Sequence, residues 1–279
     1  MNSFNFRYFS ALSKTVSFFN RGNVFFAHNF FAVRVRVVFT LTNRGGYVPF
    51  HHQFLLAQTI KGLIALGGDK KFADYRQYNF SGLKGKTQVS RKGLHFYSSR
   101  VTLVFSAADK EFIDYVANIL FQQKELTIGL LQLMPEAVEP EEPVSIAEAG
   151  KFLCISPIVL LPASLNGEEG KRFVSPHHEE FSDLLYENTM MRMEAGGKYT
   201  AAQLSEYYKF QLDADKEYIA RIQVAHKKFA RIYPLYDSDI KYEVRGYTFP
   251  FTLYAPAPVQ EYIYQNGLGH YGHKGFGMV

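Results

Sequence analysis

The sequence predicts an α+β fold, because segments with strand periodicity and segments with helix periodicity follow each other along the chain. Residues 33–42 alternate apolar and polar side chains, and residues 49–68 place apolar side chains at helical spacing. Short strands are predicted over 78–106, a second helix over 109–122 and a further strand over 126–133. The resulting order, βαββαβ, is that of a ferredoxin-like (RRM-like) sandwich with both helices on one face of an antiparallel sheet.

A linker and a second α+β segment are predicted to follow this first domain, 33–134. Residues 135–148 contain three prolines and five glutamates, a composition that favours an exposed linker. The pattern then restarts in a second domain, 149–279. Its predicted elements are a strand at 151–161, a helix at 176–193, a helical insertion at 195–216, strands at 217–233 and 240–254, and a short helix at 257–265. Duplication of the first fold rests on this order alone, since we find no residue-level repeat.

Residues 1–32 form an unusual N-terminal extension with nine Phe, three Lys or Arg and no acidic residue. Three interpretations are open: an organellar transit peptide, a docking segment for a partner, and upstream message translated from a wrong start codon. We favour the third, because no Met occurs between Met1 and Met134 and a start at a valine codon such as Val33 would escape a search for Met codons. An intact Met1 in the mass spectrum of the native protein would contradict this hypothesis.

Composition limits the class of protein. With 47% hydrophobic residues the chain can fill a core. The single cysteine, Cys154, is predicted to be buried, and one cysteine excludes an internal disulfide and suits a reducing cytoplasm. No apolar run approaches the ~20 residues of a membrane-spanning helix, so no membrane partner is predicted. The adjacent pairs His51-His52 and His177-His178 lack companion ligands, and we predict neither a metal nor a cofactor.

Positive charge is concentrated between residues 75 and 108, which include six Lys or Arg and no Asp or Glu, although the formal charge of the whole chain is only +5. Aromatic residues are interleaved with these cations, and such a segment can neutralise phosphates and stack on bases. The alternative is a solvated hairpin whose aromatic side chains are buried. The predicted nucleic-acid contacts here are Arg76, Lys84, Lys86, Arg91 and Lys92.

Five glycines fall within the eleven residues 267–277 near the C-terminus. Glycine permits positive φ and close backbone approach, so this segment can turn its N–H groups toward a phosphate while neighbouring side chains supply charge and stacking. The alternative is a glycine-rich turn without a ligand. The predicted contacts with a nucleic acid in this segment are Gly267, Gly269, His270, His273, Lys274, Gly275 and Gly277.

The spacing of this terminus, G-x-G, five residues, then G-F-G-M-V, resembles the C-terminal signature of the CRISPR-associated endoribonucleases that cut precursor CRISPR RNA within its repeats. Four further segments resemble the family in the same order: VPFHHQFLLAQTIKGLI, YNFSGL, CISPIVLLP and HHEEFSDLLYEN. The resemblance covers residues 33–279, and its glycine-rich end is the specific part.

This resemblance implies two tandem ferredoxin-like domains and a metal-independent cleavage in which a ribose 2′-OH attacks the adjacent phosphate. The products would be a 2′,3′-cyclic phosphate and a 5′-OH. The implied partners are CRISPR repeat RNA and, as a further candidate, a CRISPR effector complex, with the protein itself a monomer or homodimer. Such chemistry needs a base near the 2′-OH, an acid for the leaving oxygen and cations for the developing charge.

The sequence departs from the family where catalytic residues are expected. Many members have a histidine or tyrosine in the first helix or a histidine in the loop after it, whereas here the helix position falls on Lys61 and no histidine lies between His52 and His95. Some members without the histidine work with lysines that orient the scissile phosphate. We rank Lys61 first as a catalytic candidate. The others are His52, then His51, and more weakly Lys70, Lys71, Tyr75 and Arg76.

Each candidate also has a structural interpretation. His51 and His52 can bond the backbone at a helix start, and the lysines can be solvated surface residues. A non-catalytic repeat-binding protein of the same fold is therefore the main alternative function. A metabolite-sensing or purely structural pair of ferredoxin-like domains would leave the basic segment and the glycine-rich terminus without a role.

Overall fold

A computed structural model describes residues 33–142, 148–161, 173–227, 229–237 and 240–279. The N-terminal extension, 1–32, and part of the predicted linker, 143–147, lie outside the described residues. The first half contains β1 (Arg34–Leu41), β2 (Tyr47–Val48), α1 (Gln53–Gly67), β3 (Tyr78–Phe80), β4 (Thr87–Ser90), β5 (Gly93–Phe96), β6 (Arg100–Ala107), α2 (Lys110–Gln122), β7 (Leu126–Ile128) and β8 (Leu131–Pro140). The second half contains β9 (Ala149–Leu153), α3 (Glu180–Ala195), α4 (Ala201–Glu206), β10 (Gln211–Ala214), α5 (Lys216–Val224), β11 (Ala230–Asp237), β12 (Ile240–Tyr247), β13 (Pro250–Tyr254), α6 (Ala257–Asn266) and a 3₁₀ turn (Gly272–Lys274).

The main sheet of the first half is antiparallel, with strand order β3-β6-β1-β8-β7. Alternate side chains of β1, such as Val35 and Phe39, join apolar residues of α1 and α2 in one buried cluster on the helical face. Leaving aside β7, the strands β1, β3, β6 and β8 have the neighbour order of a ferredoxin-like sandwich. The predicted α+β class and both predicted helices are confirmed.

A small second sheet, with order β2-β5-β4, is inserted beside the first. Its inner face contributes Val48 and Phe96, both fully buried, to the cluster of the first half. Its other face is directed outward.

Two predictions about the end of the first half are wrong. Residues 126–133 are a hairpin, because Gly129 adopts φ +62° between β7 and β8. Strand β8 then continues through 135–140, which were predicted as linker. Strand β8 tolerates Pro135 for two reasons: its pairing with β1 shifts register beside this residue, and β7 pairs only with residues 131–133. The missing N–H of the proline therefore interrupts no hydrogen bond between strands. The division into two domains stays a prediction.

The second half has a three-stranded sheet with order β10-β13-β9, and its helices and strands share a second buried cluster. Hairpin β11-β12 forms a separate two-stranded ribbon. The predicted strand at 151–161 ends at Leu153, and the predicted strand at 217–233 starts with a helix, α5. Ala220, Ile222 and Val224 alternate with polar residues as in a strand, but the Asp215 carboxylate caps the helix by accepting from the Tyr218 N–H. Strand β10 replaces part of the predicted helical insertion.

In a simple ferredoxin-like sandwich the sheet face without helices is open to a ligand, whereas here this outer face of the main sheet is partly covered. Helix α6 and the 3₁₀ turn pack against β3, and α6 also packs against β6. Asn79 on β3 is completely buried there. The two halves therefore meet at this face of the sheet.

Candidate functional site

The glycine-rich terminus is buried between the two halves. The Asn79 side-chain N–H₂ donates to the carbonyls of Phe276, at 2.8 Å, and Asn266, at 3.3 Å. Gly267 and Gly277 have φ +74° and +76°, and a Cβ at Gly277 would overlap the Leu268 carbonyl. These glycines are therefore required for chain packing.

The backbone amides of this terminus mostly bond the protein. The N–H groups of Gly267, Gly275 and Gly277 donate to carbonyls of Ile263, Gly272 and Pro157 respectively, at 2.7 to 2.9 Å. These three amides are thus not available to a phosphate in this structure. Contacts of the segment with RNA through the side chains of His273 and Lys274, both partly exposed, stay a prediction.

Arg192 on α3 holds the start of this segment. Its guanidinium donates to the carbonyls of Asn266 at 2.7 Å, Gly267 at 2.9 Å and Gly269 at 2.9 Å. These carbonyls lie at the C-terminal end of α6, where a cation also complements the helix dipole. No sequence signal marked Arg192, because a single arginine on a helix is usually a solvated residue.

His270 is held on both ring nitrogens. Its Nδ1 accepts from the Leu161 N–H at 3.3 Å, and its Nε2 lies 3.2 Å from the Asn188 amide, whose Oδ1 is buried without a partner among the described residues. If the oxygen and nitrogen positions of the Asn188 side-chain amide are exchanged, the His270 Nε2–H donates to the Asn188 oxygen, and both groups have a hydrogen bond. Burial, with the nearby charge of Arg192, lowers the pKa of His270. His270 thus orders the terminus as a neutral ring.

His52 is likewise a buried, bonded histidine at the start of α1. Its side chain is only 4% exposed; Nδ1–H donates to the Pro49 carbonyl at 3.2 Å, and Nε2 accepts from the Leu83 N–H at 3.0 Å. Burial lowers the pKa of His52 to about 4. Neither nitrogen is oriented toward solvent, so the geometry fits a structural role better than proton transfer.

His51 occupies a different environment at the same helix start. Its ring packs edge-on against Tyr233 of β11, with ring centroids 4.5 Å apart, and its Nδ1 has no hydrogen-bond partner in the described part of the chain. Burial and the charge of Arg231 lower the pKa of His51 below 6.5. A half-buried, neutral imidazole is thus placed where the two halves meet.

Lys274 reaches the same region from the glycine-rich terminus. Its Nζ donates to the Tyr236 carbonyl at 3.3 Å and to the Tyr242 hydroxyl at 3.1 Å. The ring of Tyr236 in turn contacts Phe54 of α1, with centroids 5.0 Å apart. We call this region the junction: the start of α1, strand β11 and the 3₁₀ turn. It brings together His51 and Lys274, while Arg231 and Tyr233 were not found from the sequence.

The remaining catalytic candidates lie along or beyond α1. Lys61 is exposed, and it follows Phe54 by seven residues, which places it on the same helix face about 10.5 Å further along the axis. Lys70 is exposed, whereas Lys71 forms ion pairs with Asp109 and Glu111. The Tyr75 hydroxyl accepts from the Asp109 N–H, and burial raises the pKa of Tyr75 to about 12.

The predicted RNA contacts of the basic segment are all exposed. Arg76 lies in the segment between α1 and β3, and Lys84 pairs with Thr102 of β6 in the main sheet. The other three lie on or beside the small sheet: Lys86, Arg91 and Lys92. Of the interleaved aromatic residues, Tyr78, Phe80 and Phe96 are buried and cannot stack on RNA. The predicted buried position of Cys154 is confirmed, and burial raises its thiol pKa to about 12.

The described residues contain neither a cluster of metal ligands nor a membrane-spanning helix. No group of three or more His, Cys, Asp or Glu side chains in the described ranges could hold a metal ion. Among the described helices, none is long and apolar enough to cross a membrane.

The fold and the junction define a protein with two ferredoxin-like halves that enclose a glycine-rich terminus. A solved structure from Pyrococcus furiosus, described as a characterisation of a Cas6-related gene, has this fold, with a TM-score of 0.73 and 20% identity over 88% of this chain and 97% of that one. Another, described as an RAMP protein binding different RNA substrates, has a TM-score of 0.72 and 19% identity over the same shares. The predicted tandem ferredoxin-like fold is confirmed.

The family model described as CRISPR associated protein Cas6, C-terminal, matches residues 139–279. The chain belongs to the Cas6 family. A relative from Pyrococcus furiosus named putative CRISPR-associated endoribonuclease-like protein Cas6 is 25% identical over 192 residues, 68% of this chain and 72% of that protein. Membership confirms the predicted family and indicates CRISPR RNA processing or repeat RNA binding.

Proposed function

We propose that this chain binds CRISPR repeat RNA at the junction and cleaves it without a metal, by attack of a ribose 2′-OH on the adjacent phosphate. The observation that carries the proposal is His51, a neutral imidazole that lies between the start of α1 and β11 and has Arg231 and Lys274 in the same region. A base and cations are the groups that this chemistry requires.

His51 acts as the base in this proposal. The 2′-hydroxyl gives its proton to the imidazole, the 2′-oxygen bonds to phosphorus, and the bond from phosphorus to the 5′-oxygen breaks. A proton must reach the leaving oxygen, and the ammonium groups of Lys61 and Lys274 are candidate donors. The products are a 2′,3′-cyclic phosphate and a 5′-OH.

The experiment is single-turnover cleavage of the repeat RNA from the neighbouring array in EDTA, with end groups identified by mass spectrometry. We expect His51→Ala and Lys61→Ala each to slow cleavage at least about tenfold while largely preserving RNA binding. Lys209→Ala, at an exposed lysine between α4 and β10 that is not a catalytic candidate, is the matched control. Unchanged cleavage in His51→Ala would refute the assignment of the base, and a need for added metal would refute the mechanism.

A second candidate function is repeat RNA binding without cleavage. The observation that favours it is that His52 and His270 each engage both ring nitrogens inside the protein, so neither is available to RNA. Binding of the repeat without a cut in EDTA, and no cut after addition of Mg²⁺, would support this candidate.

A further inference from the structure

The outward face of the small sheet carries aromatic side chains that the junction does not use. Tyr47 of β2 pairs with His95 of β5, and His95 pairs with Gln88 of β4, so the three side chains share one face. The next pair along the same face is Tyr97 and Lys86, joined by the Tyr97 N–H to the Lys86 carbonyl at 2.9 Å. The opposite face holds the buried Val48 and Phe96.

These rings form a fixed surface. The rings of Tyr47 and His95 lie with centroids 5.0 Å apart and planes inclined by 34°. His95 is held by the Gly45 carbonyl at 3.0 Å and the Ser90 hydroxyl at 2.8 Å. Tyr97 is 42% exposed beside Gly45. A ring that is already ordered loses little entropy when a ligand stacks on it.

A groove of about 550 Å³ opens beside Tyr47 and His95, between the loop after β1 and the turn joining β7 to β8. This volume falls within the ~300–1,000 Å³ typical of sites for small ligands. The groove is open because Gly45, Gly46 and Gly129 contribute no side chains to its wall. The exposed side chains of Thr127 and Gln132 add a hydroxyl and an amide, which can bond the polar edge of a base.

The charge around this small-sheet groove favours a polyanion. Lys86 shares its face, Arg91 and Lys92 form the exposed tip of the β4–β5 hairpin, and Arg44 is exposed in the loop that lines the groove. The acidic Glu125 lies close by, where it accepts a hydrogen bond from the Thr42 hydroxyl. Cations dominate the rim, so an RNA backbone can pass along it.

We propose that the small-sheet groove binds one unpaired nucleotide of the repeat RNA, with its base against Tyr47 and His95, the next base on Tyr97 and the backbone along Lys86. This inference rests on the proposed function, since it supplies a second contact for the RNA that the junction cleaves. It assigns recognition of a single-stranded segment to an inserted sheet rather than to the face where the two halves meet.

The experiment combines binding with crosslinking. Tyr47→Leu and Tyr97→Leu remove the aromatic rings but keep apolar volume, and the double variant is expected to bind repeat RNA at least about fivefold more weakly. Tyr47→Phe keeps the ring and should bind as the unchanged protein does. Tyr208→Leu, at a tyrosine that is 69% exposed in the second half, is the matched control. Repeat RNA containing 4-thiouridine should crosslink to residues 43–47, 95–97 or 127–132 of the unchanged protein.

The outcomes separate this proposal from the function on which it rests. If the unchanged protein binds and cuts the repeat but crosslinks elsewhere, and the double variant binds normally, the groove proposal alone is overturned. Crosslinks in the stated segments support it even where a variant folds poorly. If the unchanged protein does not bind repeat RNA at all, both proposals fall.

Discussion

The glycine-rich terminus depends on Arg192, and replacing this residue tests how the terminus is held. Arg192→Met keeps the approximate length of the side chain but removes the guanidinium hydrogen bonds to three carbonyls, those of Asn266, Gly267 and Gly269; the Asn266 carbonyl still accepts from the Asn79 amide. An unsatisfied buried carbonyl costs about 1–3 kcal/mol, and because this site is only partly buried we expect a total loss of about 3 kcal/mol. For a chain of this size, that corresponds to a fall in Tm of roughly 6–12 °C.

The assay is thermal unfolding together with hydrogen exchange of single amides. The amides of Leu268, His270 and Gly277 bond within the terminus or to Val159 and Pro157, so they should exchange faster in Arg192→Met. Arg100→Met is the matched control, because the Arg100 side chain is 68% exposed in its ion pair with Glu136 and such pairs contribute about 0–1 kcal/mol. An equal change in Tm for the two variants would refute this reasoning.

Three further predictions follow from single features. The pKa of His52 is about 4 in the folded protein and 6.5 in the unfolded chain, so the unfolded chain binds the proton more readily. The contribution of neutral His52 to the free energy of unfolding is therefore fully present above pH 6.5 and is lost as the pH falls toward 4, by up to about 3 kcal/mol. His52→Gln should flatten this part of a plot of unfolding free energy against pH. Gly277→Ala should lower Tm because Gly277 has φ +76° beside the Leu268 carbonyl, whereas Gly62→Ala, in a helix with open space around it, should stabilise by about 0.5–1 kcal/mol; equal effects would contradict the packing of the terminus. Replacing Lys84, Lys86, Arg91 and Lys92 together by alanine should weaken repeat RNA binding. The plot of log K against log salt concentration should become less steep, by about 1 for each lost phosphate contact, and an unaltered slope would exclude contact.

The parts of the fold that the sequence predicted correctly are those whose burial follows a simple period. Val35, Val37 and Phe39 alternate along β1, and the apolar residues of α1 repeat at helical spacing, so each element directs one apolar face into the buried cluster of the first half. Helix α5 was missed because only Ile219 of this helix is buried, and because Ala220, Ile222 and Val224 alternate with polar residues as they would in a strand. Strand β10 has four residues of mixed polarity, too few to show any period.

The site was harder to predict because it depends on contacts between distant segments. The sequence indicated that the glycine-rich terminus is important. However, glycine permits close approach both of RNA and of another protein segment, so the glycines alone do not distinguish between these two roles. Burial of Asn79 against Phe276, 197 residues away along the chain, decides between them, and nothing near Asn79 in the sequence indicates it. His51 and His52 are adjacent in sequence, yet only the arrangement of Pro49, Leu83 and Tyr233 distinguishes their environments.

The contact between Asn79 and the glycine-rich terminus also sets an order of events during protein synthesis. The strands and helices of the first half lie within residues 34–140, so they can form while the ribosome is still making the second half. The Asn79 amide finds its carbonyl partners only after Phe276 has left the ribosomal tunnel. A nascent chain therefore keeps one face of its first sheet uncovered while the second half is being made, and the junction, where we place the catalytic base, is complete only after the 3₁₀ turn has been added to it.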